Sequence, residues 1–287
     1  MGRVDGKVVF ITGAARGQGR AHALRLAAEG ADIIAVDLCE DIDTNGYPLA
    51  TRDDLDETVR LVEKLGRRIV ARTADVRDSA ALKSAVADGI AELGRLDAVV
   101  AQAGIAPLGP DRGAEAFIDA ITVDFHGVVH AVEAALPHLP DGASIVATGS
   151  IAGLIPATVD NPANGPGGLG YSFAKRQVAS FVHDLATVLA TRRIRVNAVH
   201  PTNVNTGMLN SDLMYRSFRP DLENPTREDA LPSFPATTGF GIPYVEPEDV
   251  AETVLFLVSD ESRYVTGMQM RVDAAGYVKR RPQLPTF

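Results

Sequence analysis

Short apolar runs recur along the chain, and each is followed by a stretch with helical spacing. Val8-Val9-Phe10-Ile11 is the first run, as expected for a strand buried on both faces. From Arg16 to Glu29 the apolar positions Ala21, Leu24, Leu26, Ala27 and Ala28 fit one helix, and Gly30 stands where a helix ends. Ile33-Ile34-Ala35-Val36 is a second strand. The pattern repeats at Ile69-Val70-Ala71, Ala98-Val99-Val100, Ser144-Ile145-Val146-Ala147 and Ile194 to Val199. Parallel strands require crossovers, so this rhythm predicts an α/β fold. It is a doubly wound parallel sheet with helices on both faces, in one domain over residues 1–287.

Two stretches leave the rhythm. Residues 39–56 are polar and rich in turn formers (Asp41, Asn45, Gly46, Pro48), with helical spacing resuming from Asp53 to Leu65. Residues 206–245 carry Pro220, Pro225, Pro232, Pro235 and Pro243 without clean periodicity, which predicts a substrate lid lacking regular packed structure.

Charge narrows the partners. With 28 basic and 37 acidic residues the net charge is -9, which argues against a binder of nucleic acid or of an anionic membrane. A nucleotide held by backbone N–H groups needs no such excess of cations. Cys39 is alone, so neither an intrachain disulfide nor a cysteine zinc site is expected. The start Met1-Gly2-Arg3-Val4-Asp5-Gly6 has no signal-peptide apolar stretch, and no run is long enough to span a bilayer, so a cytoplasmic protein is expected.

Between the first strand and the first helix lies Thr12-Gly13-Ala14-Ala15-Arg16-Gly17-Gln18-Gly19. Glycines there permit a tight turn and close approach of backbone to a pyrophosphate, and the helix N-terminus faces the anion. In that position the turn reads as a dinucleotide-binding Rossmann motif. Asp37 ends the second strand, where a carboxylate accepts from ribose hydroxyls and repels a 2′-phosphate. This favours NAD over NADP, with Arg16 as the opposing signal. Tyr171 and Lys175 stand one helical turn apart at the head of a stretch running to Leu189. A cation beside a phenol draws its pKa down from about 10, as an acid/base catalyst needs. Ser150 follows the fifth strand, at the edge of the sheet where such folds bind ligands, and its hydroxyl suits a substrate oxygen.

With these elements in place, the chain resembles the short-chain dehydrogenase/reductase family over nearly its whole length. The matching residues are Thr12-Gly13 to Gly19, Asp37, Asp75-Val76, Ala103-Gly104, Ser150, Tyr171 with Lys175, and His200-Pro201 to Thr206. The resemblance implies an NAD-dependent oxidoreductase acting on CH–OH groups. It implies cofactor contacts from Gly13, Arg16, Gly17, Gln18, Gly19, Asp37, Leu38, Asp75, Val76, Gln102, Ala103, Gly104, Tyr171, Lys175, Pro201, Thr202, Val204 and Thr206. The insert and the wording His200-Pro201-Thr202-Asn203-Val204-Asn205-Thr206 are similar to a mycofactocin-associated, carveol-dehydrogenase-like subgroup of actinobacteria. That likeness implies a small hydrophobic alcohol or ketone as substrate, and NAD recycled in place by an external redox carrier, mycofactocin. A homotetramer is also implied, with Val128, Val129, Val132, Phe181, Leu185 and Val188 on its contact helices.

Two residues depart from the family pattern: Gln102 and Asp124 stand where asparagine is usual. Asp124, counted with Ser150, Tyr171 and Lys175 among the candidate catalytic residues, would raise the Tyr171 pKa if ionised. His126 and His130 have the i, i+4 spacing of a metal pair, but no third ligand is evident, so no metal is expected. Met208, Leu209, Leu213, Met214, Tyr215 and Phe218 have the spacing of an ordinary buried helix, and their place after Thr206 favours an apolar substrate pocket. The leading reading is interconversion of a hydrophobic secondary alcohol and its ketone. Its alternatives are a non-catalytic NAD-binding protein, a ketoacyl-type reductase, or a lyase or epimerase on the same scaffold.

Overall fold

Seven parallel strands form one sheet in the order β3-β2-β1-β4-β5-β6-β7 in the computed structural model, which describes residues 2–279. Met1 and residues 280–287, included in the expected domain, lie outside the described residues. The strands are β1 Val8–Thr12, β2 Asp32–Asp37, β3 Ile69–Thr73, β4 Ala98–Ala101, β5 Ser144–Thr148, β6 Arg195–Pro201 and β7 Gln269–Val272. Six match the predicted runs. β7 escapes detection because Gln269 and Arg271 interrupt its apolar character, as befits a half-exposed strand pairing with β6 alone.

Alternate residues of each strand feed two cores. Phe10, Ile34, Val99, Ile145 and Val196 pack on one face against helices α3 (Ser79–Leu93), α5 (Gly127–Ala135) and α7 (Gly165–Leu189). Val9, Ile33, Val100, Val146 and Val199 pack on the other against α1 (Gly17–Ala28), α2 (Arg52–Lys64) and α10 (Pro247–Val258). Phe10, Leu26 and Ile34 are fully buried; each such side chain stabilises the fold by roughly 1.5–3 kcal/mol. The chain direction changes beside β1, where one connection runs to β2 and the next region continues at β4. That switch opens a crevice at the carboxyl ends of the strands.

α2 begins where Thr51 and Asp54 form a reciprocal capping box. α7 starts six residues before the expected Tyr171. Gly165-Pro166-Gly167-Gly168 carries no apolar period, yet Pro166 in the first turn sacrifices no hydrogen bond. Tyr171 therefore lies nearly two turns inside the helix.

Residues 206–245 are not devoid of packed structure, contrary to expectation. They contain α8 (Asp212–Phe218), α9 (Arg227–Ala230) and a 3-10 turn Leu231–Thr237. Ser211 caps α8, Thr226 and Asp229 box α9, and Leu209, Tyr215, Ala230 and Phe234 form a small core of their own. Phe218 meets Phe234 edge-on, with ring centroids 4.7 Å apart. Local caps and aromatics replace periodicity here.

The residues expected on a partner contact divide within the chain. Val128 and Val132 are buried within the chain itself, and Phe181 and Leu185 pack partly against the same core. Leu169, Phe173 and Val188 on α7, and Ile118 on the earlier helix Ala114–Ile121, are large apolar side chains left exposed. Among the described residues, no helix is long and apolar enough to cross a membrane.

Candidate active site

Two cavities meet at the carboxyl edge of the sheet. The first, about 160 Å³, is lined by Gly13, Arg16, Gly17, Gln18, Gly19, Asp37, Leu38, Asp75, Val76, Gln102, Ala103, Gly104 and Thr206. The second, about 350 Å³, is lined by Ser150, Tyr171, Lys175, Pro201, Thr202, Val204 and, again, Gln18, Gln102, Gly104 and Thr206. Every sequence-predicted site residue is thus on a cavity wall except Asp124, which lies behind.

The glycine turn is built to approach a ligand. Gly13 has φ +68°, and a Cβ there would lie 2.8 Å from the Ala103 Cα. Thr12 Oγ1 accepts from the N–H groups of Gln102 (3.0 Å) and Ala103 (3.1 Å), locking the ends of β1 and β4 together. The first turn of α1 has neither a side-chain cap nor an acidic residue, so its positive end faces the cavity unneutralised. Gln18 Oε1 is buried there without a hydrogen-bond partner. An uncapped helix terminus, an orphaned amide oxygen and an elongated double cavity fit a dinucleotide. Asp37 Oδ2 accepts from Ala15 N–H at 2.9 Å, while the Arg16 guanidinium is turned onto the Pro48 carbonyl of the 39–56 insert.

Ser150 caps the short helix α6 (Ile151–Leu154), its Oγ accepting from Ala152 N–H at 3.1 Å. Lys175 is buried and donates to the Thr148 carbonyl at 3.0 Å, with Nζ 5.6 Å from the Tyr171 ring centroid. Burial pushes the Tyr171 phenol above its ordinary value. Lys175 pulls it back, Asp124 adds to the rise, and hydrogen bonding to Ser150 lowers it. The expected fall towards neutrality is therefore corrected: in the protein alone, burial outweighs the one cation.

Asp124 lies on a π-helical turn, Thr122–His126, a local widening often found at functional sites. It is fully buried, with Oδ1 accepting from Ile105 N–H at 2.7 Å and Oδ2 3.7 Å from Lys175 Nζ. Burial pushes this carboxyl up to about 6 against the pull of Lys175. Gln102 joins His22 of α1 (Nε2 to Oε1 3.1 Å) and the Thr148 hydroxyl, so its longer side chain ties three elements together. Burial holds His22 at about 4.

Sequence reading missed several wall residues. Tyr47, Ile42 and Leu49 of the insert line the first cavity, and the Tyr47 hydroxyl accepts from Ala106 N–H at 3.2 Å. Ile151, Thr158 and Val159 line the second. No motif marks them, since loops place them by tertiary folding. Of the expected pocket residues, Met208, Leu209, Met214 and Phe218 line the second cavity. Tyr215 instead joins the small core, and Leu213 lies beside Gly46 of the insert. His130 Nδ1 lies 2.9 Å from the Val76 carbonyl, which occupies that nitrogen.

The doubly wound sheet, the glycine-turn cradle and the converging Ser150, Tyr171 and Lys175 define a dinucleotide-dependent oxidoreductase scaffold. Comparison with known proteins narrows the class. Residues 13–277 match the family model described as enoyl-(acyl carrier protein) reductase. A short-chain type dehydrogenase/reductase of Mycolicibacterium smegmatis is 49% identical over 285 residues, covering 97% of this chain and 99% of that protein. A (-)-trans-carveol dehydrogenase of Rhodococcus erythropolis is 46% identical, covering 97% and 100%. The crystal structure of a carveol dehydrogenase from Mycobacterium avium in complex with NAD superposes with a TM-score of 0.90 at 46% identity, covering 97% and 100%. The chain belongs to the short-chain dehydrogenase/reductase family.

Proposed function

We propose that the protein oxidises a hydrophobic secondary alcohol of terpenoid, carveol-like type to its ketone, and catalyses the reverse. It is an NAD-dependent oxidoreductase acting on CH–OH groups, as the family and the NAD-bound neighbour support. The observation that carries the substrate reading is the second cavity, where Ser150 and Tyr171 face a wall of Met208, Leu209, Met214 and Phe218. Bound NAD supplies the hydride acceptor. Gly13 to Gly19 would hold its pyrophosphate, Asp37 its adenosine ribose, Asp75 and Val76 its adenine, and Pro201 to Thr206 its nicotinamide end.

Within this reading the Ser150 hydroxyl orients the substrate oxygen. The Tyr171 phenolate oxygen receives the alcohol proton as the carbonyl forms, and the phenol gives it back in reduction. Lys175, anchored by Thr148, lowers the cost of the phenolate and would hold the nicotinamide ribose. Asp124 holds the loop after β4 through Ile105 and sets the charge beside Lys175. We further propose that residues 206–245 close over the substrate and exclude water, and that the insert roofs the cofactor. The same reading includes a cytoplasmic homotetramer whose NAD is recycled by an external carrier of the mycofactocin type. The primary test is the 340 nm absorbance change with a panel of terpenoid, cyclic and straight-chain polar alcohols. Turnover confined to the polar alcohols would overturn the substrate class.

A further inference from the structure

We propose that His200 is a positioning residue that locks Ser150 to the helix bearing Tyr171 and Lys175, through a hydrogen-bond chain across the last two strands. The inference rests on Ser150 acting as proposed above.

The chain begins on α7. Gln269 of β7 donates from Nε2 to the Ala179 carbonyl at 3.0 Å, which fixes the orientation of its amide and turns Oε1 towards His200. Oε1 lies 2.7 Å from His200 Nε2. A carboxamide oxygen only accepts, so Nε2 must carry the proton. In a neutral ring Nδ1 is then an acceptor, and it meets the Ser150 N–H at 3.1 Å. The ring is fully buried and lies against Gly149, where a Cβ would come 2.3 Å from its Cε1. A side chain there would displace the ring, so the missing Cβ is what lets the backbone before Ser150 pack directly on His200. Ala179 lies two helical turns beyond Tyr171 on the same helix. The two halves of the candidate catalytic group, one at the end of β5 and the other on α7, are thereby joined through His200 and Gln269.

The same geometry makes the link dependent on the ring's charge. Nδ1 lies 3.0 Å from the Ser150 carbonyl as well as 3.1 Å from its N–H. A protonated ring donates from both nitrogens, so it must abandon the N–H and turn to the carbonyl. Several groups act on the ring: the Ser150 backbone after β5, Gln269 and Arg271 from β7, and Lys175 from α7. The two charged ones are cations, and with burial they hold the ring below its ordinary value, in the neutral form the link requires.

Two variants separate the links. In His200→Asn the amide oxygen stands near the Nδ1 position and still accepts from Ser150. In His200→Gln the amide reaches towards Gln269 but leaves the Ser150 N–H unmet. Each variant breaks one of the two links, so we expect both to lose roughly 10- to 100-fold in kcat with KM for the alcohol and Kd for NAD little changed. Equal kcat in both variants and the unmodified protein would overturn the proposal. So would parallel loss of kcat, NAD affinity and thermal stability in both, which marks a merely structural ring. Nitrogen-15 NMR of the unmodified protein with labelled histidine gives a readout independent of folding of the variants. At neutral pH the His200 ring should be protonated at Nε2 alone, and a proton on Nδ1 would refute the chain. Ser150→Ala separates this inference from the reading beneath it. Full activity there removes Ser150's role, whereas an inactive Ser150→Ala beside a fully active His200→Gln removes only that of His200.

Discussion

Three side chains concentrate the chemistry, and each makes a different demand. Tyr171→Phe keeps the ring and removes the transferable proton. We expect turnover to fall by roughly 10²- to 10⁴-fold while NAD affinity measured by calorimetry stays nearly intact; near-normal turnover would take Tyr171 out of the proton path. Asp37→Ser removes the carboxylate at the end of β2 and its repulsion of a 2′-phosphate. NAD should bind roughly ten- to hundredfold more weakly and NADP more tightly. Tighter NADP than NAD in the unmodified protein would reverse this assignment. Asp124 is raised to about 6, so the folded chain holds its proton more tightly than the unfolded chain does. Its contribution to stability therefore declines as pH rises from the ordinary carboxylate range through about 6. Asp124→Asn should flatten the melting temperature over that interval. It should also shift the rising limb of alcohol oxidation to lower pH, because a charge that raises the Tyr171 phenol is gone. An unmoved limb would mean that Asp124 does not act on Tyr171.

At the scale of elements, what the sequence reveals depends on how local the cause is. β1, α1 and the glycine turn between them are spelled by consecutive residues; Asp37 and Ser150 fall at strand ends that hydrophobic periodicity already marks, and Tyr171 and Lys175 where the apolar period of α7 begins. Tyr47 and Val159 reach the cavities only because long-range packing folds their loops inward, and no local pattern encodes that. β7 was hidden by its two polar residues, and α8 and α9 by their shortness and by prolines on either side. Their caps, Ser211 and Thr226, were legible individually but had no apolar period to attach to. This segment has its own core, so closure would move it as a small packed unit rather than order a random coil. Hydrogen exchange on the NAD complex, with and without a terpenoid alcohol that is turned over, should show added protection across 206–245 with substrate. Equal protection in both states would make the segment fixed structure.

For the whole molecule, one group of exposed apolar side chains lies on two helices that pack together. Val188 is 71% exposed, and Ile118, Leu169 and Phe173 crowd the outer surfaces of α4 (Ala114–Ile121) and α7, which pack against each other. Phe117 and Phe173, with ring centroids 6.2 Å apart, extend the same surface. Apolar area of this kind is covered in most assemblies by symmetric copies. Light scattering at micromolar concentration should report a tetramer, and a stable monomer would refute the assembly. Leu169→Glu should weaken it, since a buried unpaired carboxylate is costly.

The strand order carries a consequence for how the enzyme comes into being on the ribosome. From β4 to β7 sequence order and spatial order coincide, so this side of the sheet is laid down strand by strand as the chain emerges. The glycine turn and Asp37 are synthesised first and can find their neighbours once β4 exists. Ser150 and Tyr171 follow, but the strand that supplies Gln269 comes nearly a hundred residues after Tyr171. A nascent chain therefore carries most residues of the nucleotide cradle, Thr206 aside, well before it carries all those of the reaction centre.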